Sequence, residues 1–273
     1  MDNLKRRKPI LAFLLSLVTP GLGQIYNGQL KKGLFYLVGF FLVYIVFSFL
    51  LLKFYGMICY LIIMVGLFLF ILLDALLGAI KLRAIALKSY NRWYIYLIIF
   101  LLGSVVIQPL LGWTIKNNIA RAYKTPSSTM KPALLAGDHL IANMRIYKSG
   151  KPKRGDVIIF EYSKDPSKDF IKRVIGLEGE KVEIINNKVY INEKLIDDPW
   201  GHYESSGQAK YLKELENFGP IVVPKDSLFV LGDNRNNSQD SRFWGFVDIR
   251  KVKGKALYLY WAKDKSRIAM ELK

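Results

Sequence analysis

The sequence has few of the residues on which several large classes of site depend. Its one cysteine, Cys59, lies in an apolar run, so no intrachain disulfide can form. It has two histidines, His139 and His202, and neither a CxxC nor an HExxH motif. A histidine-based catalytic triad and a histidine-ligated metal site are therefore poorly supported. The sequence also lacks internal repeats and low-complexity segments.

Acidic residues are few beside basic ones. The chain has 40 Lys+Arg against 22 Asp+Glu, a formal net charge of +18. In a soluble protein this excess would indicate nucleic acid as the partner. Here 52% of the residues are hydrophobic, and most of that excess lies before residue 116. The anionic surface of a phospholipid membrane is therefore the better-supported partner, and nucleic acid is not expected.

The N-terminal segment, residues 1–33, is predicted to be cytoplasmic or interfacial. A basic start and the apolar stretch Ile10–Val18 are typical of a secretory signal peptide, but no small-x-small cleavage site follows. About nine apolar residues are too few to cross a hydrocarbon core as a helix. Ile10–Tyr26 is therefore interpreted as an interfacial or re-entrant element that breaks at Pro20 and the following glycines.

Residues 34–115 are predicted to be a transmembrane region with three spans, each close to the about 20 apolar residues that a bilayer requires. The spans are Leu34–Leu52, Met57–Ile80 and Trp93–Ile115, with a tight turn at 53–56. Basic residues are concentrated at the N-terminus, at Lys31 and Lys32, and in the 81–92 loop, which places all three on the cytoplasmic side. Three crossings from a cytoplasmic start then place residue 116 onward outside. Asp74, near the cytoplasmic end of the second span, is expected to be structural and to reach the interface or a basic partner.

Residues 116–273 are predicted to form a mostly β domain, because short alternating stretches are separated by turn residues. Asn186-Asn187 is a hairpin turn in this reading, and Ala209–Glu216 is the main candidate helix. The predicted strands are Val157–Tyr162, Lys181–Ile185, Lys188–Ile191, Ile221–Val223, Ser227–Leu231 and Ala256–Trp261.

Three segments of this domain carry residues suited to amide hydrolysis by a hydroxyl nucleophile. The hydroxyl run 127–129 would alone be read as caps or turn formers. Lys172 has apolar neighbours, and burial among them would lower its pKa enough for it to act as a base. Asp240 and Arg242 could lock a loop, and Ser238 could hydrogen-bond the lysine amine. Each signal is weak by itself.

Taken together, these segments resemble the bacterial type I signal peptidases, membrane-bound endopeptidases with a serine and lysine dyad. The resemblance covers nearly all of residues 123–262 and is most specific in the block 232–245. It implies an all-β catalytic domain whose apolar edge touches the membrane. It also implies removal of signal peptides from exported preproteins after small residues at P1 and P3, without a cofactor or metal. The expected location is the bacterial cytoplasmic membrane, with the multi-pass protein's catalytic domain outside and the export translocon as a further partner.

The resemblance also assigns roles to individual residues. Lys172 would be the general base, and Ser238 its hydrogen-bonding partner. Ser127 falls where the family has its oxyanion-hole hydroxyl, which acts with the backbone N–H of residue 129. The structural supports around the site would be Arg173, Asp233, Asp240 and Arg242.

One position departs from the family pattern in a way that affects the reaction. The family's nucleophile is the serine immediately before the methionine, and this chain has Thr129 there. A threonine hydroxyl can attack, but its methyl group restricts χ1. Three alternatives remain open: Thr129 is the nucleophile, Ser128 replaces it, or the protein is a silent relative that binds signal peptides or translocon partners. A self-cleaving Ser/Lys protease of the SOS-repressor type is argued against by the three spans and by the 232–245 block.

Overall fold

The computed structural model describes residues 4–82, 84–203 and 216–272. The chain divides into two compact units, Met1–Ile119 and Ala120–Lys273. The predicted helix Ala209–Glu216 lies outside the described residues except for Glu216.

The first unit is helical. Its helices are α1 (Pro9–Val18), α2 (Leu22–Tyr26), α3 (Leu30–Val46), α4 (Phe54–Leu82), α5 (Trp93–Phe100) and α6 (Gln108–Asn118). A 3₁₀ segment, Phe47–Leu52, extends α3, and a π-helical segment, Leu101–Ile107, joins α5 to α6. The short strands β1 (Leu4–Arg6) and β2 (Ala84–Ala86) pair antiparallel.

Among the described residues, three continuous helical stretches are long and apolar enough to cross a membrane: Leu30–Leu52, Phe54–Leu82 and Trp93–Asn118. The predicted turn at 53–56 is wrong, because only Lys53 is extended and the other three residues belong to α4. Gly56 makes this tight junction feasible. A Cβ at Gly56 would lie 2.3 Å from the carbonyl oxygen of Leu50, so no larger residue fits against the end of the 3₁₀ segment.

The predicted break near Pro20 is present between α1 and α2. Gly21 there has a φ of 87°, which residues with a Cβ rarely adopt. A Cβ at Gly23 would lie 2.0 Å from the carbonyl oxygen of Ala12. The two glycines therefore let α2 fold back onto α1 with backbone against backbone.

Asp74 has the structural role expected of it. Its carboxylate accepts a hydrogen bond from the buried Gln24 amide at 3.1 Å and pairs with the Lys32 ammonium at 2.6 Å. Gln24 also donates to the carbonyl oxygen of Ile71 at 2.8 Å. These contacts join α2, α3 and α4 around a charge that has its partner within the unit.

The second unit contains two antiparallel sheets. A seven-stranded sheet has the order β12-β11-β6-β5-β13-β4-β3, and a four-stranded sheet has the order β10-β7-β8-β9. The strands are β3 (Ala120–Lys124), β4 (His139–Asn143), β5 (Val157–Glu161), β6 (Asp169–Gly176), β7 (Lys181–Ile185), β8 (Lys188–Ile191), β9 (Lys194–Leu195), β10 (Phe218–Val222), β11 (Ser227–Leu231), β12 (Val247–Asp248) and β13 (Val252–Trp261). The described part of this unit also contains two short α-helices, α7 (Ile146–Ser149) and α8 (Ser241–Trp244).

The prediction of apolar helices followed by a mostly β region is confirmed. β7, β8 and β11 have the predicted bounds, and Asn186 and Asn187, with φ of 47° and 65°, form the predicted hairpin turn between β7 and β8. Five described strands of this unit were not predicted: β3, β4, β6 and the two-residue strands β9 and β12. β3 is an edge strand and contains two basic residues, and β6 carries charged residues in its buried half. Neither strand therefore shows a simple alternation of apolar and polar residues.

Candidate active site

The hydroxyl run lies in a loop that is anchored at both ends. The loop leaves β3 at Thr125, whose N–H donates to the carbonyl oxygen of Asp138 at 2.8 Å, and the N–H of Gly137 donates back to Thr125 at 2.8 Å. Met130 and Leu134 are fully buried in the core beneath it. Burial of Met130 fixes the position of its neighbour Thr129, which lies at the surface of a cavity.

β6 brings Lys172 to the same place. Successive side chains of a strand point to opposite faces, so Lys172 and Arg173 are both buried, but on different sides of the sheet. Lys172 Nζ lies 3.0 Å from Thr129 Oγ1, within hydrogen-bonding distance. The Phe170 ring centroid is 5.7 Å from the same nitrogen. The sequence-predicted nucleophile and base are thus in direct contact.

The Lys172 amine is held in an environment that favours its neutral form. Burial, which leaves the residue only 4% exposed, lowers the pKa of Lys172 to about 8. The nearby carboxylates of Asp240 and Asp233 oppose this shift, and the Arg242 guanidinium adds to it. Desolvation is the largest influence on this pKa. At pH 7 about a tenth of the amine is therefore neutral and available as a base, far more than at the ordinary lysine pKa.

A cavity of about 660 Å³ opens over the contact between threonine and lysine. Ser127, Thr129 and Lys172 line it, together with Ser238 and Phe243. Among the described residues that line this cavity, Ser128 is not present. Ser127 Oγ lies 3.3 Å from Thr129 Oγ1. Successive side chains along this loop alternate in direction, so Ser127 and Thr129 both line the cavity and Ser128 does not.

The block 232–245 binds the backbone of the hydroxyl loop through Asn234. The N–H of Asn234 donates to the carbonyl oxygen of Thr129 at 3.1 Å, and its side-chain amide donates to the carbonyl oxygen of Ser128 at 3.3 Å. Asn234 was not predicted as a site residue. Its position between two predicted supports was the only signal in the sequence that could have indicated it. It acts as a positioning residue for the hydroxyl loop.

Two buried ion pairs stabilise this block. Arg173 binds Asp233 in a bidentate pair at 2.8 and 2.7 Å, and donates to the carbonyl oxygen of Gly155 at 2.7 Å. Arg242 binds Asp240 through two contacts of 2.9 Å. Asp240 also accepts the N–H of Gly232 at 3.0 Å. The four residues predicted as supports are thus brought together beside the dyad, where they contact one another and the backbone.

Ser238 is placed at the cavity, but its expected hydrogen bond to Lys172 is absent. Its hydroxyl is buried, and it has no hydrogen-bond partner among the described residues. The hydroxyl packs against Gly232, where an added Cβ would lie 2.1 Å from Ser238 Oγ and 2.6 Å from the carbonyl oxygen of Thr129. The amine is directed at Thr129 instead. The prediction that Ser238 hydrogen-bonds and orients the lysine is therefore not met in this geometry.

Within the part of the chain that the structure describes, no three His, Cys, Asp or Glu residues are grouped so that they could hold a metal ion. The site consists of hydroxyls, one amine and paired charges.

Comparison with known proteins identifies relatives of this chain. A family described as "Signal peptidase, peptidase S26" matches residues 94–261. "Probable signal peptidase I-2" of Synechocystis is 37% identical over 163 residues, which are 58% of this chain and 71% of the relative. "Signal peptidase IB" of Staphylococcus aureus is 34% identical over 188 residues, covering 64% and 91%. A crystal structure of a signal peptidase I from Enterococcus faecalis, 31% identical, covers 39% of this chain and 97% of its own, with a TM-score of 0.32.

Proposed function

This chain belongs to the signal peptidase family, peptidase S26, and on that premise we propose that it is an endopeptidase that removes N-terminal signal peptides from exported preproteins. The observation that carries the proposal is the contact of 3.0 Å between Thr129 Oγ1 and the buried Lys172 amine at the wall of an open cavity. A hydroxyl nucleophile needs a base within about 2.6–3.2 Å. The distance meets that requirement before any substrate is bound.

The reaction we propose begins with neutral Lys172. The amine accepts the proton of the Thr129 hydroxyl as Oγ1 attacks the scissile carbonyl carbon, and the resulting ammonium then protonates the leaving amine. The C–N bond breaks, and the signal peptide's carboxyl end remains as an ester on Thr129. A water molecule, deprotonated by Lys172, hydrolyses this ester and restores the hydroxyl. No metal or organic cofactor takes part in these steps.

The negative charge that develops on the carbonyl oxygen requires hydrogen-bond donors. Ser127 Oγ is 3.3 Å from Thr129 Oγ1. A tetrahedral intermediate would be bonded to Thr129 Oγ1, so the Ser127 hydroxyl would be close to its oxyanion. The family resemblance adds the backbone N–H of Thr129 as the second donor. One such donor is worth about 3 kcal/mol of transition-state stabilisation. Ser127 therefore has a role in the rate of the reaction.

Thr129 is proposed as the nucleophile in preference to Ser128. Thr129 contacts the base and lines the cavity, whereas Ser128 is not among the described residues that line it. The methyl group of Thr129 restricts its χ1 angle. The rotamer that Thr129 adopts nevertheless places Oγ1 in contact with Lys172. The residue that departs from the family pattern thus still has the geometry of a nucleophile.

We also propose the membrane arrangement expected from the sequence. Residues 1–33 and the 81–92 loop would be cytoplasmic, 34–115 would cross the bacterial cytoplasmic membrane three times, and 116–273 would lie outside. The three helices of sufficient length support the crossings. Signal peptides reach the outer side through the export translocon, which makes the translocon a further expected partner.

The test is cleavage of a preprotein with an Ala-x-Ala site by the full chain in liposomes. Thr129→Ala and Lys172→Ala are expected to abolish cleavage, and Ser128→Ala, the matched control in the same loop, is expected to keep it. Loss of cleavage with Ser128→Ala alone would transfer the role to that residue. A folded wild-type protein that binds the preprotein without cutting it would refute the proposed function.

A further inference from the structure

The segment that follows β13, residues 262–272, turns back and packs against the core of the β-rich unit. The N–H of Leu272 donates to the carbonyl oxygen of Leu257 at 2.8 Å. The Leu272 side chain is buried in the same apolar cluster as Met130 and Leu134, which lie beneath the hydroxyl loop. The family match ends at residue 261 and does not cover this segment. The segment therefore packs under the loop that carries the proposed nucleophile.

A short turn in this segment presents Arg267. The 3₁₀ turn Lys265–Arg267 follows Asp264, whose carboxylate accepts the N–H of Ser266 at 3.0 Å and its hydroxyl at 2.7 Å. Ala269 then adopts a φ of 72°, which is uncommon for a residue with a Cβ. Its N–H donates to a carbonyl oxygen of β13 at 2.9 Å, so the chain reverses its direction here. These contacts fix the backbone from which the Arg267 side chain extends.

The guanidinium of Arg267 binds three points of the hydroxyl loop. It donates to the carbonyl oxygens of Pro132 and Ala133 at 3.1 and 3.0 Å. It also pairs with the Asp138 carboxylate at 2.8 Å, and that carboxylate accepts the N–H of Leu135 at 2.9 Å. Only 15% of the Arg267 side chain and 3% of the Asp138 side chain are exposed, so solvent screens the pair weakly. A planar guanidinium can reach several acceptors at once, which an ammonium cannot do in the same geometry.

The residues between these guanidinium contacts and the proposed nucleophile form a closed turn. The N–H of Lys131 donates to the carbonyl oxygen of Ser128 at 3.1 Å, and the N–H of Leu134 donates to that of Met130 at 2.8 Å. The Met130 side chain is fully buried. Thr129 lies inside this turn, so a displacement of the turn at its far end also moves Thr129.

We propose that Arg267 is a positioning residue for Thr129, an inference that rests on the proposed function. Asn234 holds the turn at the carbonyl oxygens of Ser128 and Thr129, and Arg267 holds its other end. With both ends fixed, Thr129 Oγ1 stays within hydrogen-bonding distance of the Lys172 amine. Arg267 is not among the described residues that line the cavity, so it acts through the loop and not on the substrate.

The test compares two variants of the full chain in liposomes, on a preprotein with an Ala-x-Ala site. Arg267→Gln removes the guanidinium, and Lys265→Gln, the matched control, removes an exposed cation from the same turn. In Arg267→Gln, kcat should fall about 10- to 100-fold with KM changed less than about twofold, because a shift of about 1 Å in the attacking group costs about 100-fold. The midpoint of the pH profile of kcat/KM should stay near that of the wild type, since the guanidinium does not contact Lys172. Lys265→Gln should behave as the wild type does.

Amide hydrogen exchange of the loop gives a readout that does not depend on cleavage. The N–H groups of Lys131 and Leu134 should exchange at least about tenfold faster in Arg267→Gln, the equivalent of one lost hydrogen bond to a charged group. Arg267→Lys, which keeps the charge but not the planar fork, should give a kcat between those of the wild type and Arg267→Gln. It replaces Arg267→Gln if that variant does not fold, with kcat still expected below the wild-type value.

The proposal is overturned if the Arg267 variant melts at a lower temperature but keeps the wild-type kcat, which would make the contact merely structural. It is also overturned if loop exchange is unchanged, if Lys265→Gln loses as much activity, or if the midpoint of the pH profile moves together with kcat. Faster loop exchange in Arg267→Gln, with no cleavage by the wild type, would support the contact with the loop and refute the proposed function.

Discussion

Lys172, the proposed base, should lower the free energy of unfolding of the protein at neutral pH. Lys172 has a pKa of about 8 because burial disfavours its charged form. The variant Lys172→Met keeps a side chain of similar length without the charge. It should be inactive, and at neutral pH it should be more stable than the wild type.

The magnitude follows from the pKa. A reduction from 10.5 to about 8, at 1.36 kcal/mol for each pKa unit, corresponds to about 3 kcal/mol of unfavourable charge burial at pH 7. Methionine loses the hydrogen bond to Thr129, worth about 1 kcal/mol. The expected net gain in the free energy of unfolding is therefore about 2 kcal/mol.

The sign of the pH dependence is fixed by linkage. Between pH 8 and pH 10.5 the unfolded chain holds the Lys172 proton and the folded chain does not, so the wild type gains stability as the pH rises. The penalty is fully present below about pH 8 and gone above about pH 10.5. The difference between variant and wild type should therefore shrink across that range, while all other titrations cancel.

The assay is urea unfolding of the full chain in detergent, followed by tryptophan fluorescence. Trp200, Trp244 and Trp261 lie in the β-rich unit, and replacing Trp93 and Trp113 by phenylalanine removes the signal from the helical unit. A Lys172→Met protein less stable than the wild type at pH 7, or a difference that does not change between pH 8 and pH 10.5, would refute the reasoning.

Three further predictions concern the site. Because only the neutral amine of Lys172 is a base, kcat/KM should rise about tenfold per pH unit below about pH 8 and level off above it; a flat profile from pH 6 to pH 9 would contradict this. Ser127→Ala should lower kcat about 100- to 1,000-fold with little change in KM, measured on a peptide substrate. Asp233→Asn, which leaves Arg173 buried without its carboxylate, should cost about 3–5 kcal/mol in unfolding, whereas Asp248→Asn, at the exposed Arg250 pair, should cost at most about 1 kcal/mol.

Local sequence patterns were sufficient to predict the long apolar helices and one β-hairpin. The long apolar runs gave the helices, and the Asn186-Asn187 turn gave its hairpin because both residues tolerate a positive φ. β6 could not be recognised in this way. Its buried half contains Lys172 and Arg173, and only the tertiary partners of those two charges make their burial stable.

The parts of the site that could be predicted are those whose role follows from the type of residue. A hydroxyl, an apolar-flanked lysine and a block of paired charges indicated the reaction, and the contact between Thr129 and Lys172 joins the first two. The roles of Asn234 and Ser238 depend on geometry instead. Asn234 acts through backbone carbonyls of a loop more than 100 residues away, and Ser238 is directed at Gly232 by packing, which no local pattern reports.

The central claim is that Thr129 Oγ1 performs the attack. The most direct measurement is acid quenching of the enzyme during turnover of a preprotein, followed by mass spectrometry of the peptide that spans residues 125–131. We expect the substrate's acyl group as an ester on Thr129 in the wild type, and no such ester in Lys172→Met. An ester on Ser128, or active turnover with no ester on Thr129 under conditions that trap one on Thr129→Ser, would contradict it.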